Sequence, residues 1–262
     1  MSELYRRNRY DEPRTSRAAI GGLVLGLIAV AALASTAPLY RTRAAGLATT
    51  FLVMRWSFYA AIAAALLAII AMLIAWRRGS GKALPIVTLL LVAAAFAAPL
   101  AKVRQAARVP RIHDITTDTA RPPQFVAVAP LRAGAANQIA YGGPDIAAQQ
   151  QKAYPRVQPL TVPLPPAQAF DRALATARSF GWDIVASDPP AGRIEATDTT
   201  FWFGFKDDVV VRIRPSGSGS KLDVRSLSRV DVRSLSRVGL SDVGTNAARI
   251  EKYLAALADG SK

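Results

Sequence analysis

Three long apolar runs fill the first hundred residues, at positions 18–39, 57–76 and 83–101. Each is close to the roughly 20 residues with which a helix crosses a bilayer. Backbone in hydrocarbon must satisfy its own hydrogen bonds, so runs of this length can only be helices there. None of the three carries a charged residue. Transport units and proton relays place ionisable groups inside the membrane, so the runs read as an anchor. The rest of the chain, too polar for a fourth span, is long enough for one small folded domain.

The formal net charge of +15 raises the question of a nucleic-acid partner. Its distribution answers against one. Residues 1–112 hold 15 Lys and Arg against 3 Asp and Glu, whereas residues 113–262 hold 18 against 15. The basic excess flanks the apolar runs, where it meets lipid phosphates, rather than the folded tail. The positive-inside rule discriminates weakly, with eight cations on one side and seven on the other. The tight Arg77-Arg78 pair in a very short loop places the N-terminus inside. The expected location is a bacterial inner membrane, with the tail domain in the periplasm. The first run is also preceded by basic residues, as a signal peptide is. At 22 residues it exceeds a typical signal core, so an uncleaved span is expected. Gly22-x3-Gly26 matches a close-packing pattern, which an Ala/Gly-rich helix also produces by chance, and the chance reading is preferred. Trp56 and Trp76 bracket the second run as interfacial aromatics do.

The expected organisation is a basic tail (1–17), three spans (18–101), an extended strap (102–155) and a soluble domain (156–262). The strap is rich in Pro, Ala and Gln and has no sustained periodicity. The domain begins with a strand at 157–162. Pro165-Pro166 then opens a helix with Phe170, Leu174 and Ala177 on one face, closed by Gly181. Strands follow at 182–187, 193–199 and 201–205, with Lys206-Asp207-Asp208 as a turn or bulge. Alternation of Val209, Val211 and Ile213 with Val210, Arg212 and Arg214 marks a strand with one buried face. A Gly/Ser turn at 216–220 leads to a strand from Lys221. An amphipathic helix at 242–258 presents Val243, Ala247, Ile250, Leu254 and Leu257, is capped by Ser241 or Asp242, and stops at Gly260. The fold class that follows is a three-helix transmembrane anchor plus an α+β two-layer sandwich, an antiparallel sheet with two helices on one face.

Residues 223–230 and 231–238 are the same octapeptide, DVRSLSRV, in tandem. Eight is even, so both copies keep the same face alternation in a strand. One strand through both would run roughly 55 Å at about 3.3 Å per residue. One copy is therefore expected to bulge, overhang the sheet or form an extra hairpin. Together with FGFKDDVVVRIRP (203–215), the second copy running into GLSDVGTNAARI, and IHDITTD with its following Pro-Pro in the strap, these motifs resemble the domain of unknown function 1499 family. That family is found in bacteria and plastids. The resemblance covers about residues 109–258 and implies membership and fold, not an activity. Since the second copy continues into GLSDVG, it is expected to hold the family's position.

The absence of cysteine excludes disulfides, thiolate nucleophiles and Cys-based metal sites. GxSxG, HExxH, P-loop and GxGxxG patterns are missing too, and a formal SxxK at Ser218–Lys221 falls in a Gly/Ser turn. No metal and no cofactor is expected. His113 is the only histidine, so a hydrolase would have to use it, with Asp114 or Asp118. The competing reading is that His113 and Asp114 pin the strap to the domain by hydrogen bonds. A second cluster comprises Asp207, Asp208, Arg212, Arg214, Asp231, Arg233, Ser234, Ser236, Arg237, Asp242, Asn246 and Arg249. Arg233 and Arg237 share one strand face and could grip a carboxylate or phosphate. The plain alternative is an Arg–Asp network on a solvated sheet face. The functional expectation is an envelope binding or structural module whose partners are the bilayer, an anionic lipid or another envelope protein.

Overall fold

A computed structural model of the chain describes residues 15–216 and 227–259. Arg6, Arg7, Arg9, Arg14, the SxxK turn, the strand start at Lys221, most of the first octapeptide copy and Gly260 lie outside the described residues. The chain divides into two compact units, residues 1–101 and 102–262.

The first unit holds α1 (Arg17–Arg41) and α2 (Leu47–Arg78) and most of α3 (Ala83–Ala106). All three are long and apolar enough to cross a membrane, with mean hydropathy of 2.3, 2.6 and 2.3. Ser16 caps α1 by accepting a hydrogen bond from the Ala19 amide at 3.1 Å. The hydroxyls of Thr36, Ser57 and Thr88 donate back to carbonyls of their own helices, which satisfies them without water. Large apolar side chains such as Leu66, Ile69 and Leu73 point outward and are about half exposed, which suits hydrocarbon and not water. The small residues face inward. A Cβ on Gly22 would lie 3.3 Å from the Ala64 carbonyl oxygen, and Ala61, Ala64, Ala68, Ala71 and Ala75 form the facing stripe of α2. The glycine pair is thus a packing device between helices of one chain, not a chance match. A further correction is that α2 runs from Leu47 to Arg78, so Arg55 lies within it rather than in the loop before it, and the Arg77-Arg78 pair forms its last turn rather than part of the loop after it.

The second unit is an α+β fold built on a six-stranded antiparallel sheet. The strands are β1 (Asp114–Thr116), β2 (Leu160–Val162), β3 (Asp183–Asp188), β4 (Arg193–Thr199), β5 (Lys206–Pro215) and β6 (Ser228–Ser236). Their order is β1-β6-β5-β4-β3, with β2 beside β1 along the same edge of β6. The helices α5 (Pro166–Ser179) and α6 (Thr245–Asp259) cover one face. There Val209, Val211, Ile213, Val230 and Val232 meet Phe170, Ala173, Ile250, Tyr253 and Leu257 in one core. The tight β3–β4 turn needs Gly192, whose φ is +61 and whose Cβ would fall 2.2 Å from the Ile213 carbonyl oxygen.

Several expected boundaries move. Lys206, Asp207 and Asp208 are the first residues of β5, not a turn. Residues 201–205 are the β4–β5 turn, not a strand. Val243 has φ +53 and precedes α6, because Asp242 caps that helix through the amides of Gly244 and Asn246. Arg229 and Val230 of the first octapeptide copy and Asp231–Ser236 of the second lie in one continuous strand.

The strap differs most. It holds β1, a 3-10 turn (Ala129–Arg132), and α4 (Gly143–Ala153). It covers much of the second face of the sheet, so that face is solvated only in part: Phe125 and Val128 pack on Val210 and Leu235. The buried Glu195 carboxylate accepts from the amides of Val126, Ala127 and Val128 at 2.9–3.0 Å. The side chain of Gln150 in α4 completes the β1 edge. Its amide group donates to the Thr116 carbonyl at 2.7 Å and its oxygen accepts from the Thr116 amide at 2.9 Å, as a further strand would.

Candidate functional site

Strand alternation sends Asp207 to the helical face and Asp208 to the strap face. Two charged systems result. On the helical face, Arg249 of α6 reaches Asp198 and Asp207, each at 2.7 Å, and donates to Ser234 at 3.0 Å. Asn246 accepts from Arg249 and from Ser234, and donates to Ser236 and to the His113 carbonyl. Apart from Asp198, whose side chain keeps 30 % of its exposure, these groups are nearly fully buried, and the network ties helix to sheet.

Apart from Glu195 and its partner Arg193 at 3.0 Å, the charges on the strap face form three groups. Arg233, only 1 % exposed, donates to both Asp114 oxygens at 2.9 and 2.8 Å and to the carbonyls of Pro123 and Ile139. Its guanidinium lies 4.9 Å from the Phe125 ring centroid and 5.7 Å from that of Tyr141. Burial first, and the Asp114 charge second, push the Tyr141 hydroxyl up to about 12. Asp208, fully buried, is bracketed by Arg132 and Arg237, and accepts from the Thr197 hydroxyl at 2.8 Å. The anions that Arg233 and Arg237 grip are therefore carboxylates of the same chain.

The third group is more open. Arg212, Arg214 and Arg229 converge on Asp231 and Asp118 at 2.8–3.5 Å. Asp231 is fully buried and Asp118 nearly so, while the three arginine side chains keep 20, 32 and 35 % of their exposure. Burial raises the Asp118 carboxyl, but the Arg121 amide together with Arg229, Arg212 and Arg214 outweighs it and holds the group below the usual carboxylate value. Three guanidinium groups against two carboxylates leave one positive charge, presented to solvent by fork-shaped donors suited to a phosphate or carboxylate.

His113 lies at the sheet edge, where its carbonyl accepts from the Ser236 amide and from Asn246. The backbone of His113 and the carboxylate of Asp114 fasten the strap. The imidazole Nδ1 is buried without a hydrogen-bond partner, and both Asp114 and Asp118 are taken up by arginines. Neither carboxylate orients His113 as a base would require. Among the described residues no three His, Cys, Asp or Glu side chains come together to hold a metal ion.

The charged residues missed in the sequence are Glu195, Asp198, Arg132 and Arg229, the last because the functional position is assigned to the second octapeptide copy. An isolated glutamate in a strand and an arginine in a Pro-rich segment carry no periodic signal. A buried-looking acid between Ile194 and Ala196 was the one hint available for Glu195.

A family described as "Protein of unknown function (DUF1499)" matches residues 114–257. No curated protein matches the chain.

Proposed function

The chain belongs to the DUF1499 family, and from that premise, which carries no activity, we propose that it is a membrane-anchored binding module of the bacterial cell envelope. The three apolar helices hold it in the inner membrane. The tail domain faces the periplasm, and the Arg212–Arg214–Arg229 group takes an anionic headgroup or an acidic group of an envelope partner. The observation that carries this reading is the surplus guanidinium charge left half-open above two buried carboxylates. Arg233, Arg237 and Arg249 support the domain from within, and the ligand-facing role passes to the more exposed trio.

The test uses the full chain in nanodiscs of zwitterionic lipid, titrated with inorganic phosphate and with glycerol phosphate and read by thermal shift. The parent should show saturable stabilisation. Arg212→Gln combined with Arg214→Gln should weaken it at least tenfold. Absence of a shift with either anion would remove the anion-binding reading and leave a structural role.

A further inference from the structure

The end of the sheet at which β4 stops and β5 starts carries an unusual concentration of apolar surface. Residues 200–205 read Thr-Phe-Trp-Phe-Gly-Phe. Phe201 is 88 % exposed and Trp202 42 %, while Phe203 and Phe205 stack with centroids 4.9 Å apart. The turn is rigid. The Thr200 amide donates to the Phe205 carbonyl at 2.8 Å, the Gly204 amide to the Thr200 carbonyl at 3.0 Å, and the Phe205 amide to the Thr200 hydroxyl at 2.9 Å. With the backbone at the base of the turn already paired, fewer polar groups have to be desolvated when the aromatic tip leaves water.

The strand register adds neighbours. β6 ends and β1 begins at this same end, because Asp114, Leu235, Asp208 and Thr197 lie in one row across the sheet. Leu240, 75 % exposed, follows the end of β6, and Leu131, 53 % exposed, gives its carbonyl to Arg237. Of the six large apolar residues exposed after position 106 among the described residues, four are therefore at this end. The acids here are neutralised, since Asp207 and Asp208 are buried in ion pairs. Lys206 and Arg111 are exposed. Residues 107–113, which continue from α3, join the sheet at the same end.

We infer that this end is a lipid-binding surface, in which Phe201 and Trp202, with Leu131 and Leu240 at the same end, bury in the headgroup–hydrocarbon boundary of a bilayer. Aromatic side chains prefer that boundary, and exposed cations at the rim meet anionic headgroups. A bilayer fits better than a protein groove because the short segment 107–113, which joins the sheet at this end, follows directly in the chain on an apolar helix long enough to span. The inference rests on the reading of the helices as membrane spans. It uses residues separate from the Arg212–Arg214–Arg229 group, which lies toward the opposite end of β5 and β6, so that with this tip in the bilayer that group takes its anion from an envelope partner.

The chain has no cysteine, so a single introduced thiol takes a nitroxide label uniquely. The full-length Phe201→Cys and Trp202→Cys variants, labelled separately in phosphatidylcholine–phosphatidylglycerol vesicles, are compared with Ala191→Cys in the turn at the opposite end of the sheet. Spin relaxation by oxygen and by a water-soluble nickel chelate reads depth. Labels at 201 and 202 should be open to oxygen and shielded from the chelate, with 191 open to the chelate, and Arg212→Gln/Arg214→Gln should not change this. Chelate access at 201 and 202 equal to that at 191 would overturn the inference. So would shielding from both reagents, which would indicate a protein surface instead. Loss of the chain from vesicles in an alkaline wash would overturn the spans themselves, whereas a wash-resistant chain with water-exposed labels fails the tip alone.

Discussion

Arg233 shows how a side chain that looks like a ligand-binding group serves the fold. Its charge is buried with that of Asp114, two hydrogen bonds join them, and aromatic rings flank the guanidinium. Removing one partner leaves the other charge buried and unpaired, at a cost of about 3–5 kcal/mol. Arg233→Met should lower stability by that amount in denaturant melts of the full chain in detergent. Adding Asp114→Leu should recover a large part of the loss. Arg156→Met, which breaks an exposed pair with Glu251, serves as the reference, since surface pairs contribute only about 0–1 kcal/mol. A loss at Arg233 no larger than at Arg156 would refute the strap-fastening role. The shared face of Arg233 and Arg237 was legible from the two-residue period of a strand. Their partners were not, because Asp114 lies 119 residues from Arg233 in the chain.

At the scale of elements, the strap is the case that periodicity could not reach. It covers a sheet face with a few apolar contacts and with backbone groups held by side chains from elsewhere, so it needs no repeating pattern of its own. Glu195 is one of its fastenings, accepting from three strap amides while paired with Arg193. Glu195→Gln replaces one acceptor oxygen with an NH2 group facing backbone amides, leaving buried donors short of a partner at about 1–3 kcal/mol. Hydrogen exchange at residues 126–128 should speed up about tenfold or more, with little change in α6. Unchanged exchange there would show that apolar contacts alone hold the strap. The helices, by contrast, were legible in outline. Pro165-Pro166 and Gly181 bracketed α5, and the 3–4 spacing of Ala247, Ile250, Leu254 and Leu257 marked α6. The start of α6 was placed early because Val243 fits the apolar spacing while its backbone is committed to the capping turn.

Across the whole molecule the tandem octapeptide has a simple consequence. Deleting residues 223–230 joins Ser220-Lys221-Leu222 to Asp231. The three residues that enter β6 would then be Ser-Lys-Leu in place of Ser228-Arg229-Val230, which conserves the polar, cationic and apolar order. The connection between β5 and β6 shortens to the Gly/Ser-rich 216–219, an ordinary hairpin length. The deleted chain should fold with a melting temperature within a few degrees of the parent in detergent. Failure to fold would show that the first copy carries structure that its neighbours cannot replace.

What the sequence by itself determined are the features that depend on local pattern. These are three apolar helices, a tail of alternating strands with two amphipathic helices, and the motifs that mark the family. Each is set by composition and period within a window of twenty residues or fewer. The tertiary structure decided which charges meet. It paired Arg233 with Asp114 and Arg237 with Asp208, folded the strap over a face that looked solvated, and left the Arg212–Arg214–Arg229 group open. It also turned FWFGF from an apparent strand into an exposed tip. Those outcomes depend on contacts between residues far apart in the chain, and no local period encodes which distant partner desolvates a given charge.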